Sequence, residues 1–197
     1  MDTVWFSFDV EADGPGPIYN SMISLGIAVL SGEGHLLDEF QVNIEQREDC
    51  EEDPETMEWW EKNQDAWKYC KQNQVNPLTA MYRVGELYKK WSADYDVKWV
   101  AQPACFDWMF LKSYYEAFPV VGNLQIGYEC TDFSSLRETW LNTLGLSVDE
   151  YKEERRIEWM KEFYLGDLPA EDSHRALEDA LFQGIEFLTL KTRINAL

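Results

Sequence analysis

Two acidic residues interrupt an apolar segment near the start of the chain. Asp9 and Glu11 stand two positions apart, where bulky apolar residues at 4, 6, 8 and 10 alternate with more polar ones. In a β-strand, residues i and i+2 project from the same face, so both carboxylates should point together. Two like charges on a buried strand are costly unless a cation joins them or water reaches the strand end. The pair therefore indicates either a cation site or a solvated strand end.

A third acidic residue, Asp107, stands alone among apolar residues in the segment ACFDWMFL. Taken by itself, an acid at this place would be explained by capping of a helix or by interaction with the dipole at its N-terminus.

The segment SHRALEDA, residues 173–180, contributes a histidine and a further acid. At 100° per residue, Asp179 lies about 200° from the apolar stripe of the helix that follows, so core packing does not require it there. That stripe is predicted to consist of Leu177, Leu181, Gly184 and Leu188. His174 and Asp179 would be about 140° apart if both were helical, so we expect His174 in the loop or first turn. The second histidine, His35, is predicted to be an exposed turn residue.

The order of these motifs resembles the DEDDh branch of the 3′-to-5′ exonuclease superfamily. The pattern is DxE on the first strand, FDxxxL at a central helix start, and HRALEDA at a C-terminal helix. Within the superfamily, the helix TMEWWEKNQ, residues 56–64, is similar to phage exodeoxyribonuclease A and to mycobacterial-type polyadenylate-trimming exoribonucleases. The resemblance spans the chain from Asp9 to Asp179 and implies a ribonuclease H-like fold.

The resemblance also implies roles for five residues. Asp9, Glu11, Asp107 and Asp179 would bind two Mg²⁺ or Mn²⁺ ions, with Asp9 bridging both, and His174 would be the general base. Hard oxygen ligands with no nearby cysteine favour these ions over zinc. The expected reaction is hydrolysis of single-stranded nucleic acid from its 3′ end, with release of nucleoside 5′-monophosphates.

Substrate contacts are predicted at two places. The loop at residues 12–20, beginning at Ala12, should let backbone amides approach the terminal nucleotide. Trp59 or Trp60 could stack on a base, a contact worth roughly 1–3 kcal/mol per base, although a helical Trp is more often part of the core. Relatives often carry an Asn four residues before Asp107, where this chain has Pro103, preceded by Gln102. In relatives this Asn helps to hold the substrate backbone or the geometry of the site, and the resemblance does not supply that contact here.

The charge balance limits the range of partners. Asp and Glu number 37 against 17 Lys and Arg, a formal charge of −20. Such a chain repels polyanions, so capture of duplex DNA through many phosphate contacts is not expected. We expect short single-stranded 3′ ends as substrate, with RNA favoured over DNA. The alternatives are an exodeoxyribonuclease acting on single-stranded DNA, or an acidic interaction protein that mimics nucleic acid.

The periodicity predicts a single α/β domain over residues 1–197. Strands are expected from residue 4, at 21–30, at 36–44, at 98–101 and at 124–128, the first three antiparallel, in a mixed five-stranded sheet flanked by helices. The predicted helices cover residues 55–71, 78–91, 106–118, 132–144, 148–163 and 173–192.

The remaining features indicate a cytoplasmic protein. No apolar run approaches the roughly 20 residues of a membrane span, and no signal peptide is evident. The four widely spaced cysteines are expected to be free thiols; they are Cys50, Cys70, Cys105 and Cys130. A homodimer is compatible with the sequence but is not required by it.

Overall fold

The strand that carries Asp9 and Glu11 lies in the middle of the sheet. A computed structural model describes residues 1–118, 125–171 and 173–197. It contains five strands, β1 (Thr3–Ala12), β2 (Met22–Ser31), β3 (Leu36–Asn43), β4 (Asp96–Ala101) and β5 (Thr131–Asp132). They form one sheet of order β3-β2-β1-β4-β5. β1 pairs antiparallel with β2 and parallel with β4, and β2 pairs antiparallel with β3. The predicted mixed sheet, with its first three strands antiparallel, is confirmed.

The fifth strand was predicted in the wrong place. It is the short β5, which pairs with the end of β4, whereas residues 125–128 of the predicted strand are irregular. Leu124 lies outside the described residues. Ile126 is buried and its carbonyl accepts a hydrogen bond from Trp99 Nε1 at 3.0 Å, whereas Tyr128 is exposed. The alternation of apolar residues in this part of the sequence therefore imitated a strand, although Ile126 and Tyr128 do not share one face.

The helices flank the sheet as the sequence predicts, with two breaks. The predicted helix 55–71 is divided at Asn63, whose φ of −117° and ψ of 47° are not helical. The predicted helix 148–163 is interrupted by a π-helical turn at Tyr151–Arg155. The helices are α1 (Pro54–Lys62), α2 (Gln64–Cys70), α3 (Pro77–Ser92), α4 (Ala104–Ala117), α5 (Phe133–Thr143), α6 (Val148–Glu150), α7 (Arg156–Phe163) and α8 (Ala176–Asn195).

The helix α8 packs across β1 and β2 and also contacts α5 and α7. Residues 180–190 are buried on every side of the helix. The predicted stripe was therefore too narrow, because protein covers the helix on more than the sheet side. Gln183 Nε2 donates a hydrogen bond to the Phe8 carbonyl at 2.6 Å, which ties the middle of α8 to β1. Among the described residues, no helix combines the length and apolarity needed to cross a bilayer.

The first turn of α8 rests directly on Gly26 of β2. A Cβ built at Gly26 would lie 2.1 Å from the Leu177 nitrogen and 2.2 Å from the Ala176 carbonyl carbon. Gly26 is also the residue that pairs with Asp9 in the sheet. The Leu177 N–H, one of the donors left without a partner at a helix start, donates to Gln41 Oε1 of β3 at 3.0 Å. The start of α8 is thus fixed beside Asp9.

Gly26→Ala should therefore displace the start of α8. The new methyl group would meet backbone atoms that cannot rotate away, so we expect a loss of about 1–3 kcal/mol in the free energy of unfolding, measured by urea denaturation. Gly32→Ala is the matched control, because a Cβ built there has no atom of the described residues within 4 Å. Its effect should stay within about 0.5 kcal/mol. Equal stability of the two variants would contradict this account of the packing.

Candidate active site

The five residues that carry the sequence motifs line one cavity. Asp9 and Glu11 come from the end of β1, Asp107 from the first turn of α4, Asp179 from the first turn of α8, and His174 from the segment before α8. The cavity has a volume of about 300 Å³. The two helix starts and the strand end therefore bring together residues that are far apart in the sequence.

Asp107 joins α4 to the central strand. Its side chain is 2% exposed, and its Oδ1 accepts a hydrogen bond from the Val10 N–H at 3.1 Å. Val10 is the residue between Asp9 and Glu11. Its other oxygen, Oδ2, is buried and has no hydrogen-bond partner among the described residues. A buried carboxylate oxygen without a donor is uncommon in folded proteins. A bound cation would satisfy it.

Burial raises the pKa values of three acids of the cavity, and repulsion from neighbouring acids adds to the shift of Glu11. Desolvation, then the charges of Asp179 and Asp107, raise the pKa of Glu11 to about 8. Desolvation raises the pKa of Asp107 to about 7, although the hydrogen bond from Val10 opposes the shift. Burial also raises the pKa of Asp179, against the opposing hydrogen bond from the Ser173 N–H. Without a cation, Glu11 and Asp107 would therefore hold protons near neutral pH, and a divalent cation would displace them.

His174 lies in the loop before α8, where its separation from Asp179 led us to expect it. Its φ of 53° is in the left-handed region. Ser173 donates to Asp179 Oδ1 from its N–H at 2.9 Å and from its hydroxyl at 3.3 Å, so the loop is closed onto the helix. Glu11, His174 and Asp179 each offer a ligand atom, and these atoms all lie within 4.8 Å of one another. The imidazole is therefore close enough to serve either as a base or as a ligand.

The two neighbouring tryptophans have different environments. Trp60 is 1% exposed and its Nε1 donates to the Ala12 carbonyl at 2.9 Å. The prediction that Trp60 could stack on a base is therefore wrong, because its ring is part of the core and holds the end of β1. Trp59 is 38% exposed, and its ring meets the His174 ring edge to face with centroids 4.7 Å apart. Ala12 is buried, and the role of its backbone amide stays a prediction.

Several further polar residues line the cavity and were not identified from the sequence. Glu186 follows Asp179 by seven residues, so helical periodicity would place both on one face of α8. The two arginines come from α5 and α7 and gave no local signal, because their position depends on how those helices pack. The residues are Gln102, Arg137, Lys152, Arg156, Glu171, Gln183 and Glu186.

The four cysteines and His35 are not among the residues that line this cavity. The four cysteines are free thiols, as predicted. Burial raises the pKa values of Cys70 and Cys130 to about 12, so neither is a ready thiolate. His35 is exposed in its turn, near the Ser31 hydroxyl.

The sequence matches a known family over most of its length. The model of the Rv2179c-like 3′-5′ exoribonuclease domain covers residues 5–187. The chain belongs to this family. The predicted class of enzyme, a 3′-5′ exonuclease, is thereby confirmed. No functionally curated protein matches the chain at a significant level.

Several solved structures share the fold of this Rv2179c-like domain. The nuclease domain of 3′hExo, a DEDDh family member bound to rAMP, aligns with a TM-score of 0.58 at 12% identity, over 98% of this chain and 92% of that chain. S. pombe Pop2p in its Mg²⁺ and Mn²⁺ bound form gives 0.55 at 16% identity, over 98% and 83%. E. coli Exonuclease I in complex with a dT13 oligonucleotide gives 0.64 at 12% identity, over 98% and 41%, so this chain spans less than half of that protein. The ribonuclease H-like fold is confirmed.

The residues present in the cavity fit a divalent cation. The donors are carboxylate oxygens with one imidazole, a set that suits Mg²⁺ or Mn²⁺. The unpartnered Asp107 Oδ2 and the raised pKa of Glu11 both indicate a place where positive charge is needed.

Removing one of the buried charges should stabilise the metal-free protein. The folded-state pKa of Glu11, about 8, lies above its ordinary value of 4.5. Between these values the folded state binds the extra proton, so the contribution of Glu11 to stability falls as pH rises from about 4.5 to about 8. Glu11→Gln should therefore unfold with a free energy about 1–3 kcal/mol higher at pH 8 in EDTA, and the gain should shrink toward pH 5.

Urea denaturation of both proteins across this pH range measures the effect. Glu33→Gln, in an exposed turn, is the control and should change stability by less than about 0.5 kcal/mol at any pH. A Glu11→Gln variant that is less stable than the parent protein at pH 8 would contradict the account in which burial and neighbouring acids disfavour the charged form of Glu11.

Proposed function

We propose that this protein is a metal-dependent exonuclease that shortens single-stranded nucleic acid from the 3′ end, RNA in preference to DNA, and releases nucleoside 5′-monophosphates. The observation that carries the proposal is the meeting of Asp9, Glu11, Asp107, His174 and Asp179 in one cavity with a buried, unpartnered carboxylate oxygen. The preference for RNA is supported by the description of the family as exoribonucleases.

The size and charge of the site suit a strand end. A volume of about 300 Å³ is at the small end of the range for ligand pockets, which suits one terminal nucleotide and not a duplex. With a net charge of −20, long-range attraction of a polyanion is weak. Binding should then depend on the ions and on a few nucleotides at the 3′ end.

The four carboxylates would hold two Mg²⁺ or Mn²⁺ ions. When bound, such a pair of ions supplies an activated water and stabilises negative charge on the leaving 3′ oxygen. His174 would accept the proton of the attacking water, a role that an imidazole can fill near neutral pH. The water oxygen bonds to phosphorus, the bond from phosphorus to the 3′ oxygen breaks, and the shortened strand keeps a 3′ hydroxyl.

The local contacts favour His174 as a base that is held in position. Trp59 packs against the imidazole on one side, and the Ser173 contacts to Asp179 close the loop that carries it. Trp59 remains exposed enough for one face to meet a base.

We further propose that residues 1–197 form a single domain and that the protein is cytoplasmic, in keeping with the free thiols. The sequence is also compatible with a homodimer.

Two other functions are considered. Single-stranded DNA is the first, since E. coli Exonuclease I, which shares the fold, is seen with a dT13 oligonucleotide. An acidic protein that mimics nucleic acid is the second, but such a role does not require five DEDDh positions in one cavity.

End-labelled oligomers of one sequence, made as RNA and as DNA, test the proposal. With Mn²⁺ or Mg²⁺, a label at the 3′ end should appear at once as a mononucleotide, whereas a 5′ label should move through a ladder of shortened strands, faster for RNA. No release with either ion would refute nuclease activity, and faster digestion of DNA would refute the preference for RNA.

Variants at His174 and Asp179 separate the base from the ligands. His174→Ala should lower kcat by about 10²–10⁴ with little change in the Mn²⁺ dissociation constant, because the carboxylates remain. Asp179→Asn should lower kcat and also weaken the binding of Mn²⁺. His35→Ala, at the exposed histidine of the turn, is the matched control and should change neither. If His174→Ala bound Mn²⁺ as weakly as Asp179→Asn, the histidine would be a ligand.

Binding should depend little on substrate length. In Ca²⁺, which can occupy carboxylate sites without efficient turnover, affinity should level off after a handful of nucleotides. Its salt dependence should be shallow, because each neutralised phosphate of a single strand contributes about 0.7 to the slope. Fluorescence anisotropy with oligomers of increasing length measures both. Affinity that climbs past about ten nucleotides, or a slope that implies about six or more phosphates, would reveal a longer binding track.

A further inference from the structure

Three basic side chains line the same cavity as the carboxylates. They are Arg137 of α5, Lys152 of the π-helical turn and Arg156 of α7. The chain has 17 basic residues against 37 acidic ones, so three of them at the catalytic cavity need an explanation. The proposed hydrolysis uses none of them.

Arg137 is held in a fixed orientation. Its guanidinium lies 3.6 Å from the Glu186 carboxylate, with side chains 13% and 2% exposed respectively. In the amide orientation that satisfies both side chains, Gln102 presents its oxygen to the two terminal nitrogens of Arg137 at 2.8 and 3.1 Å. An arginine fixed in this way can present its other N–H donors without the entropy cost of ordering a free side chain.

Arg156 is also built into the protein. It pairs with Glu171, and its guanidinium lies over the Phe182 ring at 5.4 Å. The residue is 8% exposed, and its buried Nε has no hydrogen-bond partner among the described residues. A buried N–H of a charged group left without an acceptor is costly, so a bound anion would relieve this cost.

Lys152 provides a third charge from the preceding turn. It is exposed, four residues before Arg156, and the π-helical turn between them brings both side chains to one cavity. Interruptions of this kind are frequent at functional sites. Against Glu171 and Glu186, the three basic residues leave one net positive charge, which attracts a phosphate group.

The direction of cleavage decides which phosphate of the substrate the three basic residues could bind. The present inference rests on the proposed function, in which the strand is cut from its 3′ end. The phosphate of the terminal nucleotide is the one that is cleaved, and beyond that nucleotide there is only a 3′ hydroxyl. Any second phosphate therefore belongs to the next nucleotide on the 5′ side.

We propose that Arg137, Lys152 and Arg156 form a subsite for this second phosphate, one nucleotide upstream of the bond that is cut. The subsite gives the enzyme a preference for a strand end whose second nucleotide carries a 5′ phosphate. Such a contact places the strand against the carboxylates, and an extended row of basic residues along the strand is not needed.

Three small substrates test the subsite. A dinucleotide with a 5′ phosphate, pNpN, has both phosphates; the dinucleotide NpN has only the one that is cleaved; the p-nitrophenyl ester of thymidine 5′-monophosphate has neither a second phosphate nor a second nucleoside. The parent enzyme should have a kcat/KM for pNpN roughly tenfold or more above that for NpN, as expected for a charged hydrogen bond.

Variants then assign the preference to these residues. Lys152→Ala and Arg156→Lys, which keeps the buried charge, should each lower kcat/KM for pNpN far more than for NpN, so that the ratio falls below about threefold. Lys161→Ala, on the same helix as Arg156 but outside this cavity, should leave the ratio unchanged. The melting temperatures of all variants should be compared with that of the parent protein.

Other outcomes would overturn the inference. Equal kcat/KM for pNpN and NpN in the parent enzyme would exclude the subsite, and equal losses on both substrates in the variants would show that the basic residues act only on the structure. If none of the three substrates were hydrolysed, the proposed function would fail. Calorimetric titration of pNpN and NpN in Ca²⁺ would then decide by itself whether the second phosphate is bound.

Discussion

The mutual repulsion of buried carboxylates is the constraint around which this protein is arranged. Asp9, Glu11, Asp107 and Asp179 meet in one cavity, and burial together with neighbouring charge raises the pKa of Glu11 to about 8. Like charges in a site of low polarity are unfavourable unless cations join them. The fold therefore holds together a cluster that is unfavourable when empty and favourable when divalent ions bind.

Contacts from the backbone hold the carboxylates in place against this repulsion. The Val10 N–H fixes Asp107 against β1, the Ser173 N–H fixes Asp179, and the bare face of Gly26 lets the start of α8 lie on β2. Each contact joins the end of one element to a neighbouring strand or loop. Positioning of this kind holds the carboxylates in one arrangement before any ion or substrate binds, which is how protein sites lower the cost of binding and reaction.

Much of the fold and the meeting of the motif residues in one cavity could be predicted from sequence, because both depend on local patterns. The alternation in β1 and the motif around Asp179 are visible within ten residues. The fifth strand and the environment of Trp60 could not, because an irregular loop can imitate strand periodicity and burial of one Trp in a pair depends on tertiary packing. The basic residues of the cavity were missed for the same reason, since α5 and α7 meet the site only in the folded chain.

Electron paramagnetic resonance of bound Mn²⁺ tests most directly whether the carboxylate cluster is a site for two ions. The parent protein, titrated with Mn²⁺ in the presence of a nucleoside 5′-monophosphate, should bind two ions whose spectra show magnetic coupling, as expected for ions about 3.5–4 Å apart. Asp107→Asn should lose that coupling. Two uncoupled ions, a single ion at saturation, or a spectrum that Asp107→Asn leaves unchanged would contradict the account.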